Sequence, residues 1–180
     1  MKTIKVELKG VTPLLMNNPA SMIDEQTQGL KQKTSKFDMV KSAEKLAYKT
    51  PKGELYIPAE AIKGCLIGAA SYKKIGKYAA KPIIAGGVHI QPRQVGLGVK
   101  KYELDIRTVV IQRARVVKAR PMVENWKCSL ELVYDEELIN NTEIIKSLLE
   151  EAGKRVGLLD FRPQKTGSFG MFEVTKWEEQ

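Results

Sequence analysis

Residues 141–177 read NTEIIKSLLEEAGKRVGLLDFRPQKTGSFGMFEVTKW, and the order of the patterns within them decides the fold. Asn141, Thr142 and Glu143 open the stretch as a helix cap, because such side chains accept from N–H groups that the first turn leaves unpaired. Ile144, Ile145, Leu148, Leu149 and Ala152 then recur at helical spacing towards Val156, and Gly157 ends the helix. Residues 157–170 carry Gly157, Gly167 and Gly170 with no sustained period, and Met171 to Trp177 reads as a terminal strand. The chain therefore closes on helix, glycine-rich loop and strand.

Upstream, Trp126, Cys128, Leu130, Leu132 and Tyr134 alternate with Lys127, Ser129, Glu131 and Val133, the pattern of a half-buried strand. Leu104 to Arg120 is the longest β-branched run, and with the strand after Pro121 it is expected to form an antiparallel hairpin. Residues 71–103, rich in Lys, Gly and Pro, read as a long connection with one short strand candidate at Val88 to Gln91. Before them, a short strand at Glu54 to Ile57 enters a helix from Ala59 to about Ala70, with Ala61, Ile62, Cys65, Leu66 and Ala69 as its apolar stripe. Residues 19–53 read as a lysine-rich arm with one amphipathic stretch, Phe37 to Tyr48, carrying Phe37, Val40, Ala43 (or Glu44) and Ala47. Ile4, Val6 and Leu8 mark a first strand. By main elements the order is strand, helix, strand, strand, helix, strand. That is an α+β, ferredoxin-like or RRM-like βαββαβ fold, expected as one domain over 1–180 with long insertions at 19–53 and 71–103 and a C-terminal glycine-rich loop.

Lys plus Arg number 30 against 21 Asp plus Glu, a net charge of +9. That excess favours a polyanionic partner, since each cation that meets a phosphate releases condensed counterions. Cys65 and Cys128 lie in apolar surroundings away from any CxxC or Cys/His cluster, and read as reduced core residues. The first residues, MKTIKVELKG, contain no uninterrupted apolar segment, and no apolar run approaches the ~20 residues of a membrane span. A soluble, cytoplasmic protein is expected, with no membrane partner. Walker, Rossmann and HExxH patterns do not occur, so no cofactor and no metal are assigned.

The segment Tyr56-Ile57-Pro58-Ala59-Glu60-Ala61-Ile62-Lys63-Gly64, the placement of Gly157 to Gly170 between last helix and last strand, and the element order resemble the RAMP superfamily, the RRM-fold proteins best known as subunits of CRISPR effector complexes. Ala59-Glu60-Ala61 stands where backbone subunits of that family usually carry Gly-Ser-Ser. The resemblance implies a small backbone-type subunit or a free-standing relative, with insertions that reach over a bound strand or onto a neighbouring subunit.

The residues add their own argument. Arg107, Arg113, Arg115, Lys118 and Arg120 interleave with valines and isoleucines, and Arg113 with Arg115 is expected on one strand face, where guanidinium forks track phosphates or stack on bases. Lys63, Arg155, Arg162 and Lys165 fall near helix ends or loops expected to share a rim with them. Phe161 and Phe169 supply stackable rings, and Gly167 and Gly170 let backbone N–H groups approach an anion. The expected function is non-enzymatic binding of single-stranded RNA or DNA, coated as a homo-oligomer or helical assembly, because a heterologous interface that does not close suits a linear polymer. One alternative is a RAMP-type endoribonuclease using the lone His89 as general base, or Asp24 or Asp38 of the arm. A second is a viral structural or assembly protein.

Overall fold

Ile4, Val6 and Leu8 are buried in strand β1 (Lys2–Gly10), and the strands and helices that bury them define the architecture. The computed structural model describes residues 1–20 and 36–180. After β1 come β2 (Leu14–Leu15), α1 (Lys36–Leu46), β3 (Tyr56–Pro58), α2 (Ala59–Ala70), β4 (Lys74–Ile75), β5 (Tyr78–Ala79) and α3 (Ala80–Gly87). These are followed by β6 (Val88–Gln91), β7 (Gln94–Gly96), β8 (Glu103–Ile111), β9 (Ala114–Val123), β10 (Lys127–Tyr134), α4 (Thr142–Arg155), a 3-10 turn at Pro163–Lys165 and β11 (Phe172–Glu179).

The central sheet runs β11-β1-β10-β6 and every neighbouring pair is antiparallel. With α2 between β1 and β6, and α4 between β10 and β11, this is the ferredoxin-like arrangement. Period-two alternation puts Ile4 opposite Leu132, Val6 opposite Leu130 and Leu8 opposite Cys128 on one face, where α2 and α4 cover them. Ile62, Cys65, Leu66 and Ala69 of α2 and Ile145, Leu148, Leu149 and Ala152 of α4 are buried, and the Cys65 thiol donates to the Ala152 carbonyl at 3.6 Å. Each large side chain in this core contributes about 1.5–3 kcal/mol of burial free energy. Among the described residues, no helix is long and apolar enough to cross a membrane.

The strand that fills the second position differs from the one read in the sequence. The run Leu104 to Arg120 does not pair with β10. It turns back on itself at Gln112-Arg113, whose φ values of 50° and 66° mark a type I′ hairpin turn, and becomes the hairpin β8–β9. That hairpin is tied down through β2, Leu14 opposite Val123 and Leu15 opposite Met122, in a separate three-stranded sheet. The framework strand is instead β6, inside the stretch read as a connection, with His89 opposite Val133 and Ile90 opposite Leu132. Residues 71–103 thus hold a small hairpin, a helix, a sheet strand and β7, which pairs with β3. Helix α1 packs against β9 through a face different from the one expected: Ala43, Leu46 and Ala47 are buried and Val40 is exposed.

Candidate functional site

The glycine-rich loop is a folded object, closed on itself by backbone hydrogen bonds. Beyond Gly157, the Leu158 N–H donates to the Gly170 carbonyl at 2.9 Å, the Phe169 N–H to the Phe161 carbonyl at 3.1 Å and the Gly167 N–H to the Arg162 carbonyl at 3.0 Å. The Gly170 and Asp160 N–H groups reach out to the Pro13 and Leu15 carbonyls at 2.8 and 3.0 Å. A Cβ at Gly167 would lie 1.7 Å from the Phe161 carbonyl oxygen, and one at Gly170 would lie 2.0 Å from that of Leu158. These two glycines therefore permit close chain packing, and their N–H groups donate to the protein's own carbonyls. Leu159, Phe161 and Thr166 hold left-handed φ values of 59°, 48° and 61°. Non-glycine residues persist there only where their surroundings over-determine them, and such strain gathers at functional sites.

One face of the β8–β9 hairpin is docked on this loop. Cross-strand register pairs Asp105 with Arg120 and Arg107 with Lys118. The Arg120 guanidinium bonds Asp160 of the loop at 2.8 Å and Asp105 at 3.4 Å, with its side chain only 7% exposed. Arg120 is accordingly a buried clamp between hairpin and loop. The Arg107 guanidinium stands 4.9 Å from the Phe169 ring centroid and 6.0 Å from that of Phe161, and its Nε donates to Asp105 Oδ1 at 2.7 Å. The two rings lie 5.9 Å apart. Phe169 is buried, so its stacking partner is Arg107, whereas Phe161 stays half-exposed. Lys118 donates to Asn17 Oδ1 at 3.0 Å.

Between this loop and the N-terminal half of α2 lies a cavity of about 400 Å³. Glu60, Ala61, Gly64 and Cys65 form one wall, Gly157, Leu159, Asp160 and Arg162 the other, and Asn17 and Tyr48 line it as well. The Arg162 guanidinium is aimed by the Leu159 carbonyl at 2.8 Å and Gln164 Oε1 at 3.2 Å. Space over the Gly64 Cα is open, and Lys63 precedes it, half-buried. The two sequence segments that carried the family resemblance thus face each other across one cleft. Its charge is mixed: Arg162 against Glu60 and Asp160, the latter matched by Arg120. Burial pushes the Cys65 thiol up to about 12, with the nearby Arg162 charge opposing the shift.

The remaining predicted residues are dispersed. Arg113 sits in the hairpin turn and Arg115 on the face opposite Arg107 and Lys118, so the two share no strand face, although both are exposed at the tip. Arg155 pairs with Glu151 at 2.7 Å on the surface of α4, and Lys165 is exposed in the 3-10 turn. His89 lies on the exposed face of β6, on the other side of the sheet from α2 and α4. Asp38 sits in the first turn of α1, where a carboxylate favours the helix dipole. Asp24 lies outside the described residues. Among the described residues, no three His, Cys, Asp or Glu side chains are grouped to hold a metal ion. The outer face of the central sheet sets Lys5 between Glu131 and Glu178, Glu7 opposite Lys176, and Lys9 between Glu173 and Lys127, four lysines with four glutamates. Asn17, Tyr48, Glu60, Cys65 and Asp160 escaped the sequence reading of the site, since only the folded loop brings them together.

No family model matches the sequence, and no curated sequence is significantly similar to it. By structure the chain is similar to a chain of the Type III-B Cmr-beta complex bound to cognate target RNA, with a TM-score of 0.61 and 16% identity over 99% of its own length. It spans 60% of that longer chain. At this identity the likeness establishes the fold.

Proposed function

We propose that the protein binds single-stranded RNA along the cleft between the N-terminal half of α2 and the loop at 157–170, with the β8–β9 hairpin projecting beside the bound strand. The observation that carries this reading is the meeting of those two segments around a cavity of about 400 Å³, with Arg162 in its wall and Lys63 next to Gly64. The net charge of +9 favours a phosphate polymer. The balanced charges of the outer sheet face argue against the binding platform of an ordinary RRM, which stacks bases on sheet aromatics. The structural neighbour belongs to an RNA-bound assembly, which supports RNA over DNA.

Arg162, Lys63, Lys165 and the half-exposed Phe161 are the contacts assigned to the strand, Arg107 reaching it over the phenylalanine pair. Arg113 and Arg115, beside Val110 at 69% exposure, give the hairpin tip a basic, apolar surface suited to the strand or to the next copy on it. That placement supports head-to-tail assembly on long RNA. His89 faces away from the cleft on the other side of the sheet, so the cleft reading assigns it no role.

Fluorescence anisotropy with a labelled oligouridylate tests the reading. Affinity should fall steeply between about 50 and 200 mM salt, and Lys63→Gln and Arg162→Gln should each reduce the slope of log affinity on log salt by about one unit. Absent binding, or binding indifferent to salt, would sink it.

A further inference from the structure

The hairpin β4–β5 lies outside the cleft and touches the core through Ile75 alone among its strand residues. Its strands pair Lys74 with Ala79 and Ile75 with Tyr78 around the turn at Gly76-Lys77. Two-residue strands are marginal by themselves, and this hairpin is held at its base: the Ala80 N–H donates to the Lys73 carbonyl at 2.9 Å, and Lys73 Nζ bridges Glu151 of α4 at 3.0 Å. Ile75 packs against the core. What projects is aromatic and basic. Tyr72 is 97% exposed and Tyr78 73%, and Lys74, Lys77 and Lys81 are exposed around them.

A tyrosine ring left in water adds almost nothing to folding, and Tyr72, in the turn before β4, and Tyr78, on β5, both stand in water beyond the end of α2. Tyrosine offers stacking area at low entropic cost, having only two side-chain torsions to fix. Lysines around the rings supply phosphate contacts. Rings among cations are how sequence-tolerant proteins hold single strands, base faces on the rings and backbone on the charges.

We infer that the Tyr72/Tyr78 hairpin is a second contact for single-stranded nucleic acid, separate from the cleft. It stands at the C-terminal end of α2, whereas the cleft lies along the N-terminal half. Along the helix the cleft lining runs from Glu60 to Cys65 and the hairpin begins beyond Ala70, so at about 1.5 Å per residue the two lie about 8–15 Å apart along its axis. A short oligonucleotide in the cleft leaves the hairpin untouched, and a longer one engages both. This extends the function proposed above and rests on it.

The test compares oligouridylates of about 4 and about 16 nucleotides, the range of single-strand site sizes, against wild type, Tyr72→Ala/Tyr78→Ala and Tyr72→Phe/Tyr78→Phe. Both tyrosines are exposed, so the variants should melt as wild type does. The alanine pair should weaken the longer oligonucleotide about tenfold or more and leave the shorter one unchanged, and the phenylalanine pair should retain wild-type affinity because stacking needs only the ring. Unchanged affinity of the longer strand in the alanine pair, as expected if the patch serves an acidic protein partner, overturns the inference while the cleft reading stands. Equal loss on both lengths also overturns it, since the two contacts would not be separate. Wild-type protein that binds neither length overturns the cleft reading and this inference together.

Discussion

Arg120 joins three parts of the chain at once: its own strand, Asp105 across the hairpin and Asp160 in the loop. With the guanidinium inside, removing it takes the charge partner from Asp160 and leaves the buried Asp105 to Arg107 alone, which costs up to about 3 kcal/mol, the lower end for a broken buried pair. Arg120→Ala should lower the melting temperature sharply. Arg120→Lys should rescue it only in part, because an ammonium cannot fork between two carboxylates. A variant that melts like wild type would contradict the clamp. The two thiols give a second prediction at this scale. Burial pushes both Cys65 and Cys128 up to about 12 from an ordinary value of 9.0. Native protein should therefore resist thiol reagents at pH 8 and react at both cysteines once unfolded. As pH rises from about 9 to about 12, the unfolded chain gives up thiol protons that the folded one keeps. Stability should fall through that window, by about 1.4 kcal/mol per pH unit for each thiol. Burial of the cysteines was legible from their neighbours. The burial of Arg120 was not, because an arginine in a β-run looks the same whether it meets phosphate or a carboxylate many residues away.

The hairpin β8–β9 carries the main difference between sequence and structure at the level of elements. Type I′ turns announce themselves through Asn-Gly or Asp-Gly, and Gln112-Arg113 holds the same left-handed backbone without either signal. Left-handed backbone at non-glycine residues costs roughly 1–2 kcal/mol each. Gln112→Asn with Arg113→Gly should therefore raise stability by about 1–2 kcal/mol, read in a denaturant titration, and a destabilised double variant would contradict the turn assignment. Helix α4 was legible throughout. Asn141 Oδ1 accepts the Glu143 N–H at 3.0 Å as its cap, and Asn141→Ala should cost about 1 kcal/mol. Strand β6 was harder to place, since four residues carry too little alternation to outrank a run four times as long. The loop's position between α4 and β11 was legible, but its closure was not: glycines that permit chain contact and glycines that expose N–H groups to an anion look alike in one dimension.

For the whole molecule, the excess positive charge is unevenly spread. The outer sheet face carries four lysines and four glutamates on β1, β10 and β11, while the hairpin tip bears Arg113 and Arg115 and the loop bears Arg162 and Lys165. A bound strand should follow that asymmetry and lie on the helix side of the sheet. Neutralising Arg113 and Arg115 with glutamine should weaken binding to long RNA more than to short, because the tip lies away from the cleft; equal loss on both would place the tip inside the primary site. The most direct test of where the strand lies is photo-crosslinking of 4-thiouridine RNA, with the modified peptides mapped by mass spectrometry. Crosslinks should fall on the α2 N-terminal segment around Lys63, the loop around Phe161 and Arg162, and the β8–β9 hairpin. Crosslinks concentrated instead on the outer sheet face, at Lys5, His89 or Lys127, would contradict the account.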